Sequence, residues 1–221
     1  NDDFLNYKYL FCIYRRMKSV KPVIEALERT PVIAATDRVG WQSAVLSDAE
    51  VLFHLGADII TVSDDIKAAK QNSKFVFIHI DLADGIGKDK AGIHWLKTLG
   101  ADGIISTRTQ LIRAAHDSGL LAVQRFFILD SKGMHSISET IENTCPDLIE
   151  IMPGVIPKAL KAVAAHKIPV IAGGLIETKQ EVTAALSANA IAVSTGKKEL
   201  WNEWNPPTFH GGIYSCEFFG F

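Results

Sequence analysis

Pro169-Val170-Ile171-Ala172-Gly173-Gly174-Leu175 and, one helical stretch later, Ala190-Ile191-Ala192-Val193-Ser194-Thr195-Gly196 are the two segments on which the fold turns. Each is a short apolar run that stops at small residues and gives way to a helical pattern. Glycine lets the backbone approach an anion closely, and the N–H groups at a helix start point toward it. In (β/α)8 barrels such a pair of turns, after strands seven and eight, forms a phosphate site. The question is whether these are the seventh and eighth strands.

Counting outward from them, β-type apolar runs recur at Val32–Thr36, Asp58–Val62, Phe75–Asp81, Gly103–Thr107, Ala122–Ile128, Leu148–Met152, Val170–Gly173 and Ala190–Thr195. Near-continuous apolar runs rich in β-branched residues are expected of parallel strands covered by helices. Amphipathic stretches intervene at Ala91–Leu99, Gln110–Ser118, Pro157–His166 and Lys179–Ser187, while Asp65 to Lys74 leaves room for only a short helix. Strict alternation predicts a parallel sheet, and eight strands predict a TIM-type (β/α)8 barrel rather than a doubly wound sheet. An internal echo supports the repetition: Leu55-Gly56-Ala57-Asp58-Ile59-Ile60 resembles Leu99-Gly100-Ala101-Asp102-Gly103-Ile104-Ile105. Both glycines are expected to end helices in a left-handed conformation. The organisation predicted is an N-terminal extension over 1–29, a barrel over 30–202 and a C-terminal tail over 203–221.

Composition narrows the function. The chain has 221 residues, 48% hydrophobic and 22% charged, with a net charge of −2. One barrel-sized domain fits that length, and the charge gives no global pull toward nucleic acid or membrane. Cys12, Cys145 and Cys216 are scattered, odd in number and without metal or redox spacing, as expected in a reducing cytoplasm. No run is apolar and long enough for a membrane span. The apolar segment Tyr9–Tyr14 precedes Arg15 and Arg16, the reverse of a secretory signal. Met17 begins a more ordinary stretch, so the residues before it read equally as an upstream extension or an altered start.

The C-terminal strand ends, where barrels place their functional residues, are polar. Asp81 and Glu150 can accept hydrogen bonds from a small polyol, bind a divalent cation, act as acid and base, or pair with Arg125 in the barrel mouth. Ser106 and Thr107 end the fourth run, and Arg108 stands at a helix start. His79 alternates with Asp81, so both are expected on one side of the sheet, with His79 read as a hydrogen-bonded core residue. Asp84-Gly85-Ile86-Gly87-Lys88 lacks the P-loop pattern and reads as a mobile loop over the mouth.

Several ordered strings resemble the glycerol-3-phosphate-responsive antiterminator family. They are His79-Ile80-Asp81-Leu82 with Gly85, Asp102 to Arg108, Gln124 to Ser131, Pro146 to Gly154, Pro169 to Ile176, and Ala192 to Thr195 closing on Leu200-Trp201. The match is loose over Asp37 to Ala69. The family often has a serine where Gly196 stands, and the two termini are not expected from it. The resemblance implies a cytoplasmic regulator without catalytic activity, responsive to sn-glycerol 3-phosphate. It also implies action on leader mRNA of glycerol-utilisation genes, so that transcription passes a terminator. The surface of a single barrel is small for RNA, which leaves room for a homodimer. The expected ligand site combines Gly173, Gly174, Ser194, Thr195 and Gly196 at the phosphate with Asp81, Arg125 and Glu150 at the glycerol end, flanked by Ser106 and Thr107. No cofactor or metal is expected. The alternative is a barrel isomerase or lyase acting on a small sugar phosphate, since the fold alone does not decide between them.

Overall fold

The computed structural model describes residues 20–202. Eight parallel strands close into a barrel in sequence order. They are β1 (Val32–Thr36), β2 (Val51–His54), β3 (Phe75–His79), β4 (Gly103–Ser106), β5 (Leu121–Phe127), β6 (Leu148–Met152), β7 (Val170–Gly173) and β8 (Ala192–Thr195). The described part of helix α1 covers residues 20–29. It is followed by α2 (Trp41–Val45), α3 (Val62–Gln71), α4 (Lys90–Thr98), α5 (Thr109–Ser118), α6 (Ser131–Thr144), α7 (Pro157–Ala164) and α8 (Lys179–Ser187).

Alternation along the strands divides the core into two. Val32, Ala34, Leu52, Val76, Ile78, Ile104, Ile149, Val170 and Val193 face outward and pack under the helices. Ile33, Phe53, Phe77, Ile105, Val123, Leu148, Ile171 and Ala192 face inward and fill the lumen. Helix ends are fixed locally. Asp89 and Asp130 cap α4 and α6 by accepting from the Gly92 and Gly133 N–H groups, and Thr178 with Glu181 forms a capping box on α8.

The second strand lies earlier than the sequence predicts. Val51–His54 is the buried strand, whereas Asp58 opens a turn into α3. The Asp58 carboxylate accepts from the Ile60 and Thr61 N–H groups and from the Thr61 hydroxyl, and Ile60 is exposed. The β-branched run Ile59-Ile60-Thr61-Val62 therefore imitates a strand, while the aspartate before it holds residues 59–61 in a turn that leads into the helix. With the strand moved, α3 has ten residues rather than the short helix expected. The echo also dissolves. Gly100 has φ +95° after α4, but Gly56 follows a strand and is not left-handed. The count of eight survives because one strand replaces another, so the glycine turns do follow β7 and β8.

Two further expectations change. Asp84-Gly85-Ile86 is tied down rather than loose: Asp84 exchanges backbone hydrogen bonds with Ala57 and Ile59, and Ile86 is buried. Residues 20–29, assigned above to an extension, belong to the barrel. Val20, Val23, Ala26 and Leu27 of α1 pack against the inward residues at the lower ends of the strands and close that end. The tail over 203–221 lies outside the described residues.

Leu27→Ala is expected to cost about 2–5 kcal/mol, the range for a large buried side chain cut to alanine. Urea denaturation checks it, and a loss below about 0.5 kcal/mol would contradict the plug, because that is the scale of a neutral surface change.

Candidate functional site

The lumen is apolar except near its upper end. There Arg125 of β5 and Glu150 of β6 stand opposite each other in the ladder, and both point inward. Arg125 Nε donates to Glu150 Oε2 at 2.5 Å, and Ser194 of β8 donates its hydroxyl to Glu150 Oε1 at 2.5 Å. Glu150 is 0% exposed and Arg125 7%. A charge removed from water this completely requires a charged and hydrogen-bonded partner, and the two together supply it.

Gly173 belongs to this arrangement. A Cβ at that position would lie 2.5 Å from Glu150 Oε1 and 2.8 Å from Ser194 Oγ. Its glycine makes room for the carboxylate–hydroxyl contact. Gly174 has a different reason: its φ is +72°, and Leu175 follows at +60°. Two successive left-handed residues turn the chain sharply after β7, and the second is a leucine, which carries backbone strain. Gly196 is under neither constraint, since its Cβ would sit 3.5 Å from the Ala35 carbonyl oxygen, an ordinary contact.

A cavity of about 410 Å³ opens above the ion pair. Its walls include Arg125, Glu150, Gly174, Ser194, Thr195 and Gly196, with Met152, Leu175 and Lys197 added. The volume is in the range of small-molecule sites, roughly 300–1,000 Å³. Arg125 is bonded through Nε alone. Among the described residues its two terminal nitrogens have no hydrogen-bond partner, and the side chain lines the cavity. Lys197 brings a second cation, paired with Glu177 at 3.3 Å.

Of the predicted residues, Gly173, Gly174, Arg125, Glu150, Ser194, Thr195 and Gly196 come together here. The Thr195 side chain, however, is committed within the protein. Its Oγ1 donates to the Ile176 carbonyl at 2.6 Å and accepts from the Lys197 N–H, while Trp201 Nε1 donates to the Thr195 carbonyl. It braces the turn after β8 rather than offering a proton to the cavity.

Asp81, Ser106 and Thr107 do not join the site. β3 ends at His79, and Ile80–Leu82 winds into a 3₁₀ turn, so the expected alternation stops before Asp81. Asp81 accepts from the Ser106 hydroxyl at 3.0 Å and from the Thr107 N–H at 2.8 Å, with Arg108 beside it at 3.4 Å. This second cluster ties β3 to the start of α5. Asp81 therefore pairs with Arg108, while Arg125 pairs with Glu150 alone. His79 faces the lumen and is buried, but among the described residues its Nδ1 has no hydrogen-bond partner, unlike the satisfied core histidine expected. Burial, and then the Arg125 charge, hold its pKa below the ordinary 6.5.

Sequence reasoning passes over Met152, Leu175 and Lys197. Met152 and Leu175 read as strand and helix-start hydrophobics, and only the inward parity of β6 and the left-handed turn bring them to the cavity. Lys197 directly follows Gly196, and its position after the eighth strand is a signal that could have found it. The mouth also carries an apolar rim: Val39, Ile60, Leu82, Leu129 and Leu175, all on loops after strands, are exposed. Among the described residues no His, Cys, Asp and Glu group has a metal-holding arrangement, and no helix is long and apolar enough to cross a membrane.

Gly173→Ala is expected to destabilise the fold by about 1–3 kcal/mol, as for an overpacked core, because Glu150 or Ser194 has to give way. Gly196→Ala should leave the thermal midpoint nearly unchanged. Equal midpoints for the two variants would contradict the steric assignment.

Comparison with known proteins places this geometry in a family. Residues 32–201 match the model of the glycerol-3-phosphate responsive antiterminator family. A protein of Escherichia coli (strain K12), named uncharacterized protein YgcP, is 37% identical over 183 residues, 81% of this chain and 96% of the relative. The crystal structure of a glycerol uptake operon antiterminator regulatory protein from Listeria monocytogenes str. 4b F2365 is 35% identical, with a TM-score of 0.73 over 78% of this chain and 95% of that one. A glycerol uptake operon antiterminator-related protein from Thermotoga maritima MSB8 is 34% identical, with a TM-score of 0.69 over 77% and 96% of the two chains. The matched region runs from the first strand to the tryptophan that braces the last turn, and the chain belongs to the glycerol-3-phosphate responsive antiterminator family.

Proposed function

We propose that the barrel mouth binds sn-glycerol 3-phosphate as an effector and that the occupied protein acts on leader mRNA of glycerol-utilisation genes in the cytoplasm. The observation that carries the ligand reading is Arg125. It is a nearly buried guanidinium that lines the cavity beside the turns after β7 and β8, and its terminal nitrogens have no hydrogen-bond partner among the described residues. A guanidinium so placed suits a phosphate oxygen.

In this reading the phosphate lies against the backbone of Gly174, Leu175 and Gly196, with Lys197 and Arg125 as cations. Gly173, Ser194 and Thr195 shape the walls. Glu150 takes no direct part in holding the anion, since its charge would repel it. It holds Arg125 in place and presents its remaining lone pairs to hydroxyls of the glycerol end. The RNA step rests on the family and on the names of its structural relatives. A homodimer is compatible with the size of one barrel.

Chemistry at this site has less support. Both Glu150 oxygens already accept hydrogen bonds. No lysine occupies a described strand position from which a Schiff base could form in the lumen. An effector site needs only differential binding between two states of the protein.

Calorimetry should detect sn-glycerol 3-phosphate binding and no glycerol binding. Lys197→Met, a change at a half-exposed side chain, should weaken it several-fold, and Gly174→Val should abolish it. Undiminished binding by both variants would overturn the site. Leader RNA should shift in a gel in a ligand-dependent way. An unchanged shift would overturn the regulatory step, and turnover of the phosphate ester would restore the enzyme.

A further inference from the structure

His79 is the polar lumen residue that the phosphate reading leaves without a task. It follows Phe77 on the inward face of β3, and Phe77 packs edge-on against Phe53 in the lumen. In the ladder His79 stands level with Ile105 of β4, and Ile105 stands level with Val123 of β5. Arg125 is the next inward residue above Val123. The register of the closed barrel slants downward from β3 to β5, so Arg125 stands level with His79, two strands away. His79 is 4% exposed, and Nδ1 has no hydrogen-bond partner among the described residues. Burying such a nitrogen unpaired is unfavourable, because it loses its bond to water and gains none in return.

A lone buried nitrogen level with Arg125, beside a cavity that already has its cations, needs a neutral partner. The Arg125 guanidinium can only donate and its charge opposes a cation at His79, while the apolar rings of Phe77 and Phe53 lie further down. An alcohol group satisfies either ring tautomer, because a hydroxyl both donates and accepts. Building on the phosphate assignment above, we propose that His79 receives the hydroxyl end of the ligand, so that the site selects short phosphorylated polyols over phosphate esters that lack hydroxyls. The phosphate would stay at the turns after β7 and β8, and the carbon chain would pass Arg125 and Glu150 toward β3. Burial and the Arg125 charge keep the ring neutral near pH 7, which leaves one ring nitrogen able to accept.

The test is calorimetry with two probes, sn-glycerol 3-phosphate and propyl phosphate, on the intact protein and on His79→Phe. The intact protein should bind the glycerol ester at least tenfold more tightly. His79→Phe should lose that margin while its propyl phosphate affinity stays unchanged. A margin that survives in a folded His79→Phe overturns the proposal, as does an equal loss for both probes, which would mark a structural role. If the intact protein binds neither ester, the phosphate site itself fails, a result distinct from losing the margin. Should His79→Phe not fold, the imidazole ¹⁵N resonances of the intact protein decide. The His79 signals should move with sn-glycerol 3-phosphate and stay in place with propyl phosphate, and identical spectra with the two probes overturn the assignment.

Discussion

A carboxylate with no exposed surface, Glu150, fixes much of what happens at the upper end of this barrel. Burying that charge is tolerable only with an opposite charge and a second donor at hydrogen-bond distance. Arg125 and Ser194 provide them from β5 and β8, on either side of β6. Ser194 reaches across β7, which has to vanish as a side chain where the bond passes, and Gly173 does so. The same ion pair uses one nitrogen of Arg125 and leaves its outer edge turned to the cavity. One electrostatic requirement thus sets a glycine, a serine and the orientation of the site's main cation.

Much of this was legible in the sequence, because parallel strands under helices write themselves as apolar runs with helical spacers. β1, β6 and β7 begin and end where the pattern places them. β2 was not legible. Val51–His54 is a short run ending in a histidine, while Ile59-Ile60 carries a stronger β signature and yet sits in a turn. What decides is the Asp58 side chain, which satisfies two backbone N–H groups locally. Periodicity does not register that interaction.

The site was legible as a neighbourhood more than as a set of contacts. The glycine turns and the Arg125–Glu150 pair follow from strand number and inward parity. Asp81 was misplaced because parity holds only while a strand lasts, and β3 stops two residues short of it. The Thr195 hydroxyl bonds to the Ile176 carbonyl across the loop, a contact that strand number and parity do not foretell. Lys197 and Leu175 were missed because loop residues carry no period from which to infer direction. The glycines also illustrate how one residue type answers different demands: Gly173 yields space, and Gly174 supplies a left-handed turn.

Helix α1 adds to the direction that parallel strands already give the barrel. Among the described residues, its apolar face is seated against the lower strand ends, and the interior becomes a vessel stoppered at the base. Whatever enters leaves by the same route, past the ring of aliphatic side chains at the lip. Diffusion along the barrel axis is barred by the packed lumen, so an occupant would be read at the neck itself, through the shape and wetting of the lip. A larger molecule that settled on the lip would cork the vessel, and it would trap or exclude the small one according to which arrived first.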